Sequence, residues 1–353
     1  MGDTIEGTIE GLDDAEVTAW LVEHVAGVTP PFSWSLIAGG HSNLTFGVTD
    51  AAGRHLVLRR PPLGQVLATA HDMGREHRII SALGPTNVPV APALGLCTDV
   101  SVTGAPFYVM EFVDGTVVRD QHVAEALSID QRRQASESIV DVLGAIHAVD
   151  IDAVGLYDLS KHEGYIERQL RRWYSQYQSS KNQAPDMDFG AVDRVYERLS
   201  SRIPAQQGVA IVHGDYRLDN CMLGPDGSVS AVLDWEICTL GDPLADVGLL
   251  WVYWTDPDAP SALPQASPTA LDGFLRRSEV IERYAASSHR DLSDIDFYIA
   301  FGCWKLTCII AGVYARYAGG AMGSDTDPAQ VQGFADTVEA LAAAAETAAS
   351  EVK

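Results

Sequence analysis

The sequence predicts an α+β fold in two lobes, a small antiparallel β-sheet lobe carrying a helix and then a larger, mostly helical lobe. Three observations predict it. Between residues 35 and 113, short apolar runs alternate with glycine, proline and aspartate turns, the punctuation of strands and hairpins. From residue 121 onward apolar residues recur every three or four positions, as in Ile139, Val142, Leu143 and Ile146, which is helix periodicity. The chain has 353 residues, too many for one small core, and its character changes just after Asp114-Gly115. The expected boundaries are residues 1–113 for the first lobe, with a joint at about 110–114, and 114–353 for the second.

In the first lobe, Asp13-Asp14 open a helix with Val17, Trp20 and Leu21 on one face. Residues 35–49 read as strand, glycine turn and strand, and after a turn at Asp50–Gly53 comes a third strand, His55–Arg59. Gly39 and Gly40 let backbone N–H groups approach an anion, and Ser42 and Asn43 add short donors, which suits a hairpin covering phosphates. A plain hairpin turn is the simpler alternative. Arg59 ends the third strand and can fork two phosphate oxygens, whereas Arg60 points to the opposite sheet face. A helix with Met73, Glu76, Ile79, Ile80 and Leu83 follows and ends at Gly84-Pro85. Residues 88–97 and 106–113 read as the last strands of the lobe.

In the second lobe, Ser128 opens a helix in which His147 reads as a packed core residue. The helix from Gly164 carries Arg168, Arg171 and Arg172, either a solvated face or an anion-recognising wall for an acidic acceptor. Further helices are expected over 193–203, 272–287, 293–317 and about 328–348.

Composition excludes some functions. Lysine and arginine total 24 against 48 acidic residues, a net charge of −24, so the basic footprint of non-specific nucleic-acid binding is missing. The five cysteines include no Cys-x-x-Cys pair and read as buried thiols of a reducing compartment, with Cys221 and Cys238 near enough to the central motif to meet thiol reagents. The acidic start, Met1-Gly-Asp-Thr, is no secretory signal, and the apolar stretch 300–314 contains Lys305 and reads as a core helix too short to span a bilayer. A cytoplasmic protein with no membrane and no nucleic-acid partner is the expectation. Oligomeric state is not legible.

The chemistry concentrates at Ile211-Val-His-Gly-Asp-Tyr-Arg-Leu-Asp-Asn220 and Ala231-Val-Leu-Asp-Trp-Glu236. An apolar run enters a loop carrying His213, Asp215 and Asn220. A hairpin turn at Gly224–Gly227 leads to a strand that ends in Asp234. Asp215, Asn220 and Asp234 should converge at the ends of a short sheet, and two carboxylates with an amide suit Mg²⁺, which takes oxygen ligands and leaves room for substrate phosphates. The plain alternative is a surface hairpin with solvated acids.

His213-x-Asp215, Asn220 five residues on, and Asp234 after a hairpin resemble the catalytic elements of kinases. His-Gly-Asp, Asp-Trp-Glu and Gly241-Asp-Pro-Leu-Ala-Asp246 are more narrowly similar to the aminoglycoside phosphotransferase family. Gly40–Thr45, Tyr165–Trp173 and Phe297–Leu306 resemble the kinase-like domain fused to some acyl-CoA dehydrogenases, a branch associated with hydroxyacyl-CoA phosphorylation. The resemblance implies a bilobal protein-kinase-like fold and ATP-dependent phosphorylation of a small-molecule hydroxyl, with GTP the alternative donor and Mg²⁺ the metal. It implies Asp215 as catalytic base and Asn220 and Asp234 as metal ligands. It places Arg59 on the nucleotide phosphates, steadied by Glu76, and the backbone around Glu111 and Val113 on the adenine. His213 and Asp246 would support the loop. The acceptor stays open between an aminoglycoside and a hydroxyacyl-CoA or other hydroxy acid. A nucleotide-binding pseudokinase module is disfavoured by the intact Asp215, Asn220 and Asp234 set, and a protein kinase by the lack of Ala-Pro-Glu after Asp234.

Overall fold

In a computed structural model of the chain, the residues described are 12, 14–38, 43–62, 71–184, 189–259, 267–319 and 327–352. The chain divides into two compact units, Met1–Gly115 with Ser230–Glu236, and Thr116–Val229 with Ile237–Lys353.

The first unit opens with α1 (Asp14–His24) and continues through β1 (Ser33–Ala38), β2 (Leu44–Thr49), β3 (His55–Arg60), α2 (Met73–Leu83), β4 (Ala93–Cys97), α3 (Val100–Thr103) and β5 (Phe107–Glu111). The five strands form one antiparallel sheet in the order β1-β2-β3-β5-β4. Inserting β5 between β3 and β4 brings Arg59 opposite Tyr108, a cross-strand neighbour not visible in sequence. Val17, Trp20 and Leu21 of α1 join Phe46, Leu58 and Phe107 in the core, and the Trp20 ring meets Phe107 edge-on at 4.9 Å. Asp72 caps α2 by accepting from the Arg75 N–H at 2.9 Å. The capped helix buries Met73, Glu76, Ile79, Ile80 and Leu83, so a carboxylate lies on its apolar face. Arg60 is buried on the other sheet face and donates to the Thr103 carbonyl at 3.0 Å. The segment Ser230–Glu236 is tied in by the Val232 N–H, 2.8 Å from the Pro89 carbonyl.

The second unit has β6 (Thr116–Val117), α4 (Gln121–Glu125), α5 (Ile129–His147), α6 (Tyr165–Gln183), α7 (Gly190–Ser200), β7 (Ala210–Val212) and β8 (Cys221–Leu223). After the turn, β9 (Val229–Val232) carries the chain into the first unit, and β10 (Thr239–Gly241), α8 (Leu244–Tyr253), α9 (Arg277–Ser288), α10 (Ile295–Ala318) and α11 (Pro328–Glu351) complete the second. Ser128 and Gln131 form a capping box at the start of α5. The expected hairpin turn is present, with the Gly224 N–H 2.8 Å from the Ser228 carbonyl.

Helix α10 is the centre of this unit and packs against α6, α7, α8 and α11. At 24 residues it is long and apolar enough to cross a membrane, and 78% of its most apolar window is buried inside the protein. Burial, not the expected shortness, makes it a core helix. Its crossing with α8 is very close, since a Cβ on Gly248 would lie 2.1 Å from the Tyr298 carbonyl oxygen. All five cysteines are buried free thiols, which corrects the expected reach of Cys221 and Cys238. Burial pushes the Cys221 thiol up to about 12.

Candidate active site

Strand β7 ends at Val212, and the chain turns through His213 and Gly214 to present Asp215. Gly214 sits at φ 87°, a left-handed conformation that favours glycine. The turn is clamped from beneath. Asp246, on the first turn of α8 and 1% exposed, accepts the N–H groups of His213 at 2.7 Å and Gly214 at 2.8 Å. Burial opposes its charge, yet the side-chain hydrogen bond of His147 and the loop amide of Gly214 leave Asp246 below the ordinary carboxylate range. His147 lies 3.4 Å from the same carboxylate and 2.7 Å from the Tyr284 hydroxyl, and burial pushes its pKa down. It is the packed, hydrogen-bonded core residue its helix position implied. His213 is fully buried, and its Nδ1 accepts the Asp215 N–H at 3.3 Å.

The Asp215 carboxylate is held from both sides. Asn220 Nδ2 donates to its carbonyl at 2.8 Å and to Oδ2 at 3.0 Å. Arg217 Nε lies 3.3 Å from Oδ2, and Arg217 also pairs with Asp219 at 3.1 Å. The Tyr253 hydroxyl donates to Oδ1 at 3.3 Å, under the Arg217 guanidinium, which covers the Tyr253 ring at 5.0 Å. The carboxylate keeps 26% of its surface exposed. A fixed, partly exposed carboxylate at the end of a braced loop can accept a proton from an approaching hydroxyl. Asp215 and Asn220, two of the three groups expected to converge, are hydrogen-bonded to each other. Three further residues belong to this site without belonging to the motif: Arg217, Tyr253 and Lys305, whose Nζ donates to the Gly214 carbonyl at 2.8 Å. Arg217 lies inside the loop sequence and Lys305 interrupts an apolar run, so both leave a signal. Tyr253 leaves none.

The first unit gathers a separate polar cluster. Arg59 Nε lies 3.1 Å from Glu76 Oε2 and Arg59 Nη2 lies 2.5 Å from Asp234 Oδ1. Burial opposes the arginine's charge, but Glu76, Tyr108 and Asp234 together hold it firmly protonated. Burial pushes the Glu76 carboxyl up, against the pull of Arg59 and the Tyr108 hydroxyl, which donates to Glu76 Oε2 at 3.0 Å. Asp234 adopts φ 63°, a left-handed conformation rare outside glycine. Such strain persists where surrounding structure imposes it and clusters at functional positions. Glu236, two residues on and 3.9 Å from Arg59, is a further carboxylate that the motif alone does not mark.

Asn43 is a correction. Its sequence position suggests donors offered to a phosphate, but its amide is 4% exposed and donates to Glu76 at 3.0 Å and Glu236 at 3.2 Å. It braces carboxylates. Gly39, Gly40 and Ser42, the other three residues of that expectation, lie outside the described residues. At the joint, the Glu111 carboxylate pairs with Arg54 at 2.5 Å, and its N–H donates to the Pro92 carbonyl at 2.9 Å. Its N–H is thus engaged inside the protein, while the Val113 N–H has no partner among the described residues. Arg168 donates to the Lys161 carbonyl at 2.8 Å, Arg171 is exposed, and Arg172 lies over the Trp173 ring at 5.3 Å.

Comparison with known proteins agrees with this arrangement. The model of the phosphotransferase enzyme family matches residues 33–283. The chain is 36% identical over 295 residues to acyl-CoA dehydrogenase family member 10 of Mus musculus, covering 81% of this chain and 27% of the mouse protein. It thus spans about a quarter of that relative's length. A crystal structure from Ralstonia eutropha JMP134, named as a candidate aminoglycoside phosphotransferase, is 32% identical with a TM-score of 0.81, covering 97% of this chain and 99% of that one. The ADP-bound aminoglycoside phosphotransferase APH(2'')-Ib shares the fold at 13% identity, with a TM-score of 0.59 over 94% of this chain and 99% of that one. Sequence, fold and the braced His213–Asp215 loop agree that the chain belongs to the phosphotransferase enzyme family, with the α+β, kinase-like architecture of its solved members.

Proposed function

We propose that the protein is an ATP-dependent kinase that phosphorylates a hydroxyl group of a small molecule. The observation that carries this is the Asp215 carboxylate, oriented by Asn220, Arg217 and Tyr253 on a loop clamped to buried Asp246. Asp215 orients the acceptor hydroxyl and takes its proton as the oxygen bonds to the γ-phosphorus. The bond from that phosphorus to the bridging oxygen breaks, and the nucleoside diphosphate leaves with the electron pair. Arg59, anchored by Glu76, stabilises the nucleotide phosphates. The Glu111 carbonyl and the Val113 N–H read the purine, ATP being the expected donor and GTP the alternative.

The donor chemistry fits Mg²⁺. Asn220 offers its amide oxygen, its nitrogen being engaged by Asp215, and Asp234 offers a carboxylate. Among the described residues no three His, Cys, Asp or Glu side chains form a metal cluster. Mg²⁺ takes oxygen ligands and leaves room in its shell for phosphate oxygens and water. When bound, Mg²⁺ neutralises charge on the phosphates.

A second reading, with a hydroxy acid or hydroxyacyl-CoA as the acceptor, is favoured by a cavity of about 290 Å³ bordered by Tyr253. Arg119, Arg217 and Asp219 line its polar side, with Arg217 also paired to Asp215 and Asp219, and Leu250, Leu306 and Phe334 supply apolar wall. The apolar wall suits an acceptor with an apolar chain, and Arg119 is the cation at the polar side left without an ion pair among the described residues. The test is a panel of aminoglycosides, hydroxy acids and hydroxyacyl-CoAs incubated with γ-labelled ATP. Label transferred to one class is expected. No transfer to any acceptor together with no ATP hydrolysis would overturn the kinase reading.

A further inference from the structure

Lys305 lies in the middle of α10, the helix that packs against α6, α7, α8 and α11, and is 5% exposed. Burying an ammonium is strongly unfavourable unless it is well paired. No carboxylate forms an ion pair with it among the described residues. Its Nζ donates to the Gly214 carbonyl at 2.8 Å and lies 5.8 Å from the Trp173 ring centre. A methionine would fill the same space without the desolvation, so packing alone gives no reason for the charge.

What the ammonium holds is the peptide that leads into Asp215. The carbonyl of that peptide accepts from Lys305, and its N–H donates to His213 Nδ1 at 3.3 Å. The preceding peptide is held by the Gly214 N–H on Asp246 at 2.8 Å. Gly214, at φ 87°, is where this plane could most readily rotate. The charged groups that act on Lys305 are Asp246 from α8, Asp215 from the loop and Arg172 from α6. Burial pushes its pKa down, and the two carboxylates oppose that.

We propose that Lys305 is a positioning residue for phosphotransfer: through the Gly214 carbonyl it fixes the peptide plane that aims the Asp215 carboxylate at the acceptor hydroxyl. This rests on the kinase reading above. Lys305 acts through the loop rather than on nucleotide or acceptor, so its removal acts on turnover. Misplacing a catalytic group by about 1 Å lowers rate on the order of 10²-fold.

The experiment compares the native chain with Lys305→Met and Lys305→Ala, each checked by circular dichroism and thermal melting. Lys305→Met keeps the stem volume and is expected to lose roughly 10²-fold in kcat, with the KM for ATP within about threefold of native. Lys305→Ala is expected to recover turnover in methylammonium, which can donate to the Gly214 carbonyl, and not in tetramethylammonium, which cannot. Native kcat in folded Lys305→Met overturns the proposal, as does equal recovery with both cations. If neither variant folds, Lys305 is a residue of the fold alone and the proposal also fails. A native chain with no phosphotransfer and no ATP hydrolysis sinks the kinase reading instead.

Discussion

Asn220 Nδ2 reaches Asp215 twice, at the carbonyl oxygen and at Oδ2, 2.8 and 3.0 Å away. One side chain therefore fixes both the backbone and the carboxylate of the residue five positions earlier. Asp215→Asn keeps the shape and removes the proton acceptor. Its kcat should fall by about 10²–10⁴-fold, with the melting temperature near native. Asn220→Ala should also lose turnover, through a freed carboxylate and a lost amide oxygen. Labelled-ATP transfer read beside a thermal melt decides both. Native turnover in Asp215→Asn would remove the residue from the mechanism.

What can be read without coordinates follows the range of the interactions. The spacing from His213 to Asn220 is local, and one loop satisfies it, so that cluster is legible. The capped helix at Ser128 and the hairpin turn at Gly224 are legible for the same reason. Asn43 misleads because its partners lie 33 and 193 residues away, and a short polar side chain after glycines looks the same whether it meets a phosphate or a carboxylate. The transfer of Ser230–Glu236 into the first unit depends on a contact with Pro89, which no periodicity encodes. Lys305 stands out in sequence only as a charge that breaks an apolar run, and its target becomes visible once α10 and the loop are both placed.

The cluster around Glu76 makes a pH prediction. Burial raises its carboxyl above the usual 4.5, so the unfolded chain ionises first as pH climbs. Stability from this group is therefore fully present below about 4.5 and declines as pH rises through the folded value. Glu76→Gln should flatten that decline in denaturant unfolding curves taken from acid to neutral pH. Arg59→Met removes the opposing cation, so the decline should extend to higher pH and neutral-pH stability fall by about 3 kcal/mol. A slope unchanged in both variants would show that the Glu76 charge does not govern stability.

The α8–α10 crossing separates tight from open glycines. Gly248→Ala would push a methyl to 2.1 Å from the Tyr298 carbonyl, so the helices must part. A loss of about 1–3 kcal/mol or more is expected. Gly333 lies in α11, and a methyl added there would meet nothing within 4 Å among the described residues. Gly333→Ala should therefore gain about 0.5–1 kcal/mol through helix propensity. Chemical denaturation of the two variants checks the sign as well as the size, and a stable Gly248→Ala would contradict the close crossing.

Asp234 allows backbone strain to be separated from carboxylate chemistry. Its φ of 63° is disfavoured for a side chain bearing a Cβ, and its Oδ1 pairs with Arg59 at 2.5 Å. Asp234→Ala and Asp234→Gly both lose the carboxylate, and only alanine keeps the strain. The glycine variant should therefore be the more stable of the two by about 1 kcal/mol. On the proposed role of Asp234 as a metal ligand, both should be inactive in phosphotransfer, because neither variant would offer a carboxylate oxygen, and extra Mg²⁺ should restore neither. Titrating Mg²⁺ against labelled-ATP transfer, beside unfolding curves of both proteins, tests the two halves independently. Activity regained by the glycine variant at high Mg²⁺ would mean that the conformation matters and the carboxylate does not.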